Sequence, residues 1–207
     1  TAALRRDGIE YVEIRSLDIN LFDPSGINQN TMRFIEAFLI YCLLEDSPEL
    51  DNMDLEEIRL NHTGTAKRGR DPEFQLLRDN KPVRLQDWAS EILQNVLAVA
   101  GMIDRSETDG SYSAAVGVAQ GIVDDPDKTL SARIVSELEQ SGSSFFEFAL
   151  GMANCHHEYF ASIAPLRAVN EKSLADEVAA SVSRQADIEA ADDISLDDYL
   201  QRYFKAC

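Results

Sequence analysis

One short run of strict alternation, standing alone ahead of a long helical stretch, constrains this chain most. Residues 9–16 read Ile-Glu-Tyr-Val-Glu-Ile-Arg-Ser. β-Branched and aromatic residues interleave there with charges, which predicts a strand. Tyr11, Glu13 and Arg15 would share one face, with Val12 and Ile14 on the other. A lone strand cannot satisfy its own backbone hydrogen bonds. Its partner strands are therefore expected from residues outside this chain. The first residue is Thr1 rather than Met, so the true N-terminus is expected elsewhere, with the first half of the protein on the same or a separate chain.

The remainder predicts helices. Residues 21–28 contain Asp23-Pro24-Ser25-Gly26 and read as a loop. Residues 31–44 are apolar nearly all round and predict a buried helix. It must stop before Pro48, because the residue preceding proline is driven out of the helical region. Glu36 interrupts its apolar run, and a pairing with Arg33 one turn earlier would accommodate it. Residues 51–70 predict a more polar helix, with Gly64 to Arg70 as a basic loop. Residues 85–103 predict an amphipathic helix containing Trp88. Further helices are expected over 111–123, 131–140, 144–163 and 171–191. Ser195 can cap a short last helix, with Asp198 three residues on. Phe145, Phe146 and Phe148 are expected to pack in a core.

The fold class is thus α+β: an antiparallel-sheet strand followed by a mostly helical layer. Residues 1–27 are expected to form a strand and loop of a larger sheet, and residues 28–207 a helical region.

Composition excludes some partners. The chain has 207 residues, with 37 acidic against 19 basic, for a net charge of −18. Such a surface repels phosphate backbones and anionic lipid, so neither nucleic acid nor membrane is an expected partner. Cys42, Cys155 and Cys207 are odd in number and widely spaced, which fits a reducing cytoplasm better than a disulfide framework. Cys42 reads as a small buried apolar residue. Cys155-His156-His157 does not predict a metal site, since adjacent helical residues point about 100° apart.

Chemistry is concentrated at Glu13 and Arg15. On a strand they would stand roughly 7 Å apart along one face. A carboxylate is the hard oxygen ligand that Mg²⁺ prefers, and an arginine fork suits phosphoryl oxygens. The same spacing also describes an exposed ion pair worth about 0.2–1 kcal/mol.

The wider run decides between these. Tyr11-Val12-Glu13-Ile14-Arg15, then Leu17-Asp18-Ile19-Asn20-Leu21-Phe22, then Pro24-Ser25-Gly26 and the helix around Arg33-Phe34 resemble the signature of the gamma-proteobacterial type of glutamate–cysteine ligase, within the glutamine synthetase-like superfamily. Cys42-Leu43-Leu44-Glu45-Asp46-Ser47-Pro48-Glu49, Leu130-Ser131-Ala132-Arg133-Ile134 and Ser181-Val182-Ser183-Arg184-Gln185 are similar to later family segments. Two positions depart from the pattern. Leu21 stands where the family has proline, and Gly69-Arg70-Asp71-Pro72-Glu73 lacks the second glycine of a Gly-Arg-x-Pro-Gly loop.

The resemblance implies the C-terminal part of a glutamine synthetase-like fold and of an ATP-dependent ligase. That enzyme joins the glutamate γ-carboxyl to cysteine through an acyl phosphate, the first step of glutathione synthesis. It implies Glu13 as a ligand to Mg²⁺ or Mn²⁺, Arg15 as the catalytic residue on the transferring phosphoryl group, and Arg70 facing the nucleotide. The implied partners are L-glutamate, L-cysteine, ATP as substrate, and the N-terminal half of the same enzyme. Two alternatives stand beside it: another carboxylate–amine ligase of the superfamily, and a non-catalytic helical interaction domain that begins with a charged strand.

Overall fold

A computed structural model describes residues 2–107, 110–163 and 171–205; Cys207 lies outside the described residues. In chain order the elements are α1 (Ala2–Asp7), α2 (Gln29–Leu44), α3 (Asn52–Arg68), β1 (Gln75–Arg78), β2 (Lys81–Arg84), α4 (Leu85–Glu107) and α5 (Ser111–Asp124). A 3₁₀ turn (Pro126–Lys128) leads to α6 (Leu130–Ser141), α7 (Phe145–Ser162), α8 (Glu171–Ala191) and α9 (Leu196–Lys205). The class is α+β as expected, but its β part lies elsewhere. Residues 9–16 enter no ladder. A strand exists only with a partner, and none is offered to this segment among the described residues. The opening residues form α1, a six-residue helix, rather than running at once into extended chain.

The described sheet is the hairpin β1–β2, antiparallel, with Leu76 opposite Val83 and Leu77 opposite Pro82. Its turn residues Asp79 and Asn80 both have positive φ, 54° and 59°. That is the conformation a two-residue turn needs to match strand twist, and Asp and Asn tolerate it. The hairpin is tied to α3 by Asn61. Its Nδ2 donates to the Leu77 carbonyl at 2.7 Å, and its Oδ1 accepts from the Leu77 amide at 2.8 Å. The Asn80 amide also donates to Glu57, at 2.8 Å. Asn61→Ala leaves a half-buried donor and acceptor unmet, a cost of about 1–3 kcal/mol. A urea unfolding midpoint lowered to match is the expected result; an unchanged midpoint would mean that water meets both groups.

The chain divides into two compact units. One, Asp18–Glu158, is built on α2, α4 and α5. Ala37, Leu93, Val96, Ala100 and Val116 form its core, flanked by Phe34, Phe38, Tyr41, Ile92 and Ile103. Leu93, Val96 and Ala100 recur at helical spacing on α4, which is why that helix turns one face inward. Alanines at 37 and 100 let the axes approach closely. α2 is half-buried rather than buried all round: Met32, Leu43 and Leu44 remain exposed. Glu36 is met by the Tyr112 hydroxyl, which donates to it at 2.7 Å, while Arg33 lies over the same ring. α5 starts on Asp104, whose carboxylate accepts from the Tyr112 and Ser113 amides at 2.8 and 2.9 Å. The Ser113 hydroxyl and these amides hold that carboxyl below its ordinary range.

The segment read as a basic loop at 64–70 is mostly the last turn of α3. A helix there lets Gly64 meet Phe74; a Cβ on Gly64 would come within 2.7 Å of the ring. Phe74 is buried, and Arg68 covers its ring at 5.3 Å.

The second unit comprises Thr1–Leu17 and Tyr159–Cys207. α8 carries Leu174, Val178 and Val182 at i, i+4 and i+8, and all three are exposed. α9 carries Leu196, Tyr199, Leu200, Tyr203 and Phe204 on one stripe, also exposed. Ser195 caps α9 as expected: its hydroxyl oxygen accepts from the Asp198 amide at 3.1 Å. These helices form on their own periodicity, yet the apolar stripes they present are uncovered.

Candidate functional site

Glu13 and Arg15 lie in the irregular segment between α1 and the loop that opens the larger unit. Their side chains fall on the same side, as a spacing of two in extended chain requires. Arg15 Nη2 donates to Glu13 Oε2 at 2.7 Å. Both are exposed, the arginine 81% and the glutamate 55%. Tyr11, Val12 and Ile9 beside them are also exposed. A carboxylate and a guanidinium thus stand in contact on an open, apolar-flanked strip. An exposed pair of this kind adds little stability.

The loop that follows is tightly closed. The Asn20 amide donates to the Gly26 carbonyl at 2.8 Å, and the Gly26 amide to Asp23 at 2.9 Å. Asn20 Oδ1 accepts from the Phe22 amide at 3.1 Å, and Asp23 Oδ1 from the Ser25 amide at 3.0 Å. Gly26 has φ 73°, which a side chain would strain. Phe22 packs on Phe148 with ring centroids 6.0 Å apart, and the Arg133 guanidinium lies 3.9 Å from the Phe22 centroid. Arg133 belongs to the Ser131-Ala132-Arg133 segment, and no local sequence pattern marks its aromatic partner.

Arg70 is exposed on the turn after α3. That turn is pinned on both sides. Arg68 pairs with Asp71 at 2.6 Å and holds the Asp71 carboxyl below its ordinary range. Arg84 donates to the Pro72 carbonyl at 3.1 Å.

Other candidates separate from any site. Cys155, His156 and His157 are consecutive on α7, and no group of three or more His, Cys, Asp or Glu among the described residues could hold a metal ion. Cys42 is exposed rather than buried, as is Cys155. Phe145 and Phe146 are exposed as well, so of the expected aromatic cluster Phe148 alone packs, against Phe22. A groove of about 800 Å³ on the larger unit, lined by Met32, Ile35, Leu39 and Tyr112 among others, contains none of Glu13, Arg15 or Arg70. No described helix is long and apolar enough to cross a membrane.

The sequence profile of the glutamate–cysteine ligase family matches residues 1–65, the stretch that holds Glu13, Arg15 and the closed loop. A glutamate–cysteine ligase of Alcanivorax borkumensis is 40% identical over 99% of this chain, and one of Pseudomonas paraeruginosa 37% identical over 97%. The chain covers 39% and 38% of those two proteins. A crystal structure of glutamate–cysteine ligase from Francisella tularensis, in complex with AMP, superposes with a TM-score of 0.87 at 31% identity. It covers all of this chain, which in turn spans 41% of that structure. The chain is similar to glutamate–cysteine ligases along nearly its whole length, and it spans about two fifths of the length of the relatives it matches.

Proposed function

We propose that the chain is the C-terminal portion of an ATP-dependent ligase that joins the γ-carboxyl of glutamate to the amine of cysteine, the first step of glutathione synthesis. The observation that carries this reading is the Glu13–Arg15 contact, exposed and lying within the stretch that matches the family profile. In the reaction the glutamate γ-carboxylate attacks the γ-phosphorus of ATP, and ADP leaves. The cysteine amine then attacks the acyl phosphate carbon, the C–O bond to phosphate breaks, and the amine gives up a proton. Each half needs negative charge held in place while it moves, which is a task for preorganised donors.

Arg15 is the donor to the transferring phosphoryl oxygens, since its planar fork matches them and its head is open to solvent. Glu13 is the oxygen ligand for Mg²⁺ or Mn²⁺. When bound, such an ion neutralises phosphate charge. The donor chemistry fits: Mg²⁺ sites use one or two carboxylates together with phosphate oxygens and water. Glu13 supplies one carboxylate, and no cluster of further candidates occurs among the described residues. The remaining ligands and the amino-acid pockets then belong to the rest of the enzyme. Arg70, on its pinned turn, faces the nucleotide phosphates.

In this reading residues 1–27 join the catalytic sheet of the whole enzyme, and residues 28–207 are its helical portion. The N-terminal half pairs with residues 9–16, whose exposed Ile9, Val12 and Ile14 and unladdered backbone need cover. The acidic surface and free cysteines suit a cytoplasmic enzyme whose partners are L-glutamate, L-cysteine and ATP.

The test is Glu13→Gln in the complete enzyme. A neutral amide is a poorer ligand for a hard dication, so the Mg²⁺ concentration for half-maximal activity is expected to rise, with a melting temperature close to the parent's. An unaltered Mg²⁺ dependence would remove Glu13 from the metal site.

A further inference from the structure

We propose that Arg133 is a positioning residue of the ligase reaction: by stacking on Phe22 it fixes the loop that immediately follows Glu13 and Arg15. The inference rests on the ligase reading given above. Arg15 and Asn20 are five positions apart, and the residues between them form no regular element. The loop at 20–26 is thus where the chain that carries Glu13 and Arg15 joins the larger unit, and fixing the loop fixes that end of it. Internal hydrogen bonds set the loop's shape, and two residues past Gly26 the chain enters α2 at its cap, Asn28. Phe22 ties the loop's other side to two helices, through contacts with Phe148 on α7 and Arg133 on α6.

The Arg133 contact is close. Its guanidinium carbon lies 3.9 Å from the ring centroid, against 5.2–6.0 Å for the other cation–ring contacts at Arg33, Arg68 and Arg78. A guanidinium this close to a ring face gains from the ring quadrupole. Leu21 gives the attachment added weight. It lacks the ring by which proline would fix φ, so the loop depends more on outside contacts for its rigidity. α6 presents Arg133 reliably, because Thr129 caps the helix by accepting from the Ala132 amide. A small misplacement at a reacting centre is costly even when its origin is remote.

The experiment is a mutant cycle in the complete ligase with R133M, F22L and the double variant, and R133K as the conservative control. R133M and F22L are each expected to lower kcat by roughly ten- to a hundredfold, with KM for ATP and the melting temperature little changed. The double variant should be no worse than the poorer single one, because both remove one contact. R133K keeps a cation over the ring and should recover most of the rate. Additive losses, unchanged kcat in R133M, or R133K as poor as R133M would each overturn the proposal. Amide hydrogen exchange keeps the test decisive should R133M lose stability. Faster exchange at Phe22 and Gly26, with α2 protection unchanged, supports the latch, and a uniform rise across both overturns it. Arg15→Lys and Glu13→Gln run alongside separate the two levels. If they collapse activity and R133M does not, only the role of Arg133 fails. If they leave activity intact, the assignment of Glu13 and Arg15 to the catalytic site fails, and the role of Arg133 fails with it.

Discussion

Arg15→Lys in the complete enzyme is expected to reduce turnover by about 10²–10³ while binding of glutamate changes little. Lysine keeps the charge but replaces a planar two-pronged donor with a compact point charge on a flexible stem. Removing one preorganised donor at developing charge costs on the order of 2.7–4 kcal/mol, and the loss falls on kcat because the contact is made as the phosphoryl group moves. Stability should hardly respond: the Glu13–Arg15 pair is exposed on both sides, and exposed pairs contribute at most about 1 kcal/mol. Steady-state rates with a melting curve check both halves. Near-normal turnover would return the pair to the status of a surface ion pair.

How much of this was legible in the sequence depended on whether the deciding partner was local. α8 occupies the residues read as helical from periodicity, 171–191, and α2 ends at Leu44, ahead of Pro48 as expected. Ser195 caps α9 through a residue three positions away. The hairpin at 75–84 escaped notice. Each strand is four residues long, Pro82 sits within one of them, and the two leucines of the other are adjacent rather than alternating. The usable signal was Asp79-Asn80, a pair that tolerates the left-handed turn. Residues 9–16 carry strong strand preference and yet form no strand, because preference cannot supply a ladder partner. Cys42, Phe145 and Phe146 were expected inside and are exposed. Hydrophobicity states what would gain from burial, not whether something covers it. The contact of Glu13 with Arg15 was readable from the segment itself, since it spans two positions of extended chain. The stacking of Arg133 on Phe22 spans 111 positions, from Phe22 to Arg133, and no local pattern encodes it.

Uncovered apolar surface has a functional counterpart. Residues 9–16 and the stripes of α8 and α9 are exposed, and the chain spans about two fifths of its relatives. Thr1–Cys207 expressed alone is therefore expected to have no measurable ligase activity. One carboxylate does not make a Mg²⁺-phosphate site, and among the described residues no group of three or more His, Cys, Asp or Glu could hold the ion. The effect is the difference between no turnover and an enzyme working at the usual order of about 1–10³ per second.

The most direct measurement is formation of γ-glutamylcysteine, with ADP release, from glutamate, cysteine and Mg-ATP. It would be assayed with the chain alone, with a separately expressed N-terminal portion alone, and with both combined. The ligase account expects product from the combination only, and its loss when Arg15→Lys is introduced. Product from Thr1–Cys207 alone, or undiminished product from the N-terminal portion without it, would contradict the claim that this chain carries part of the catalytic site.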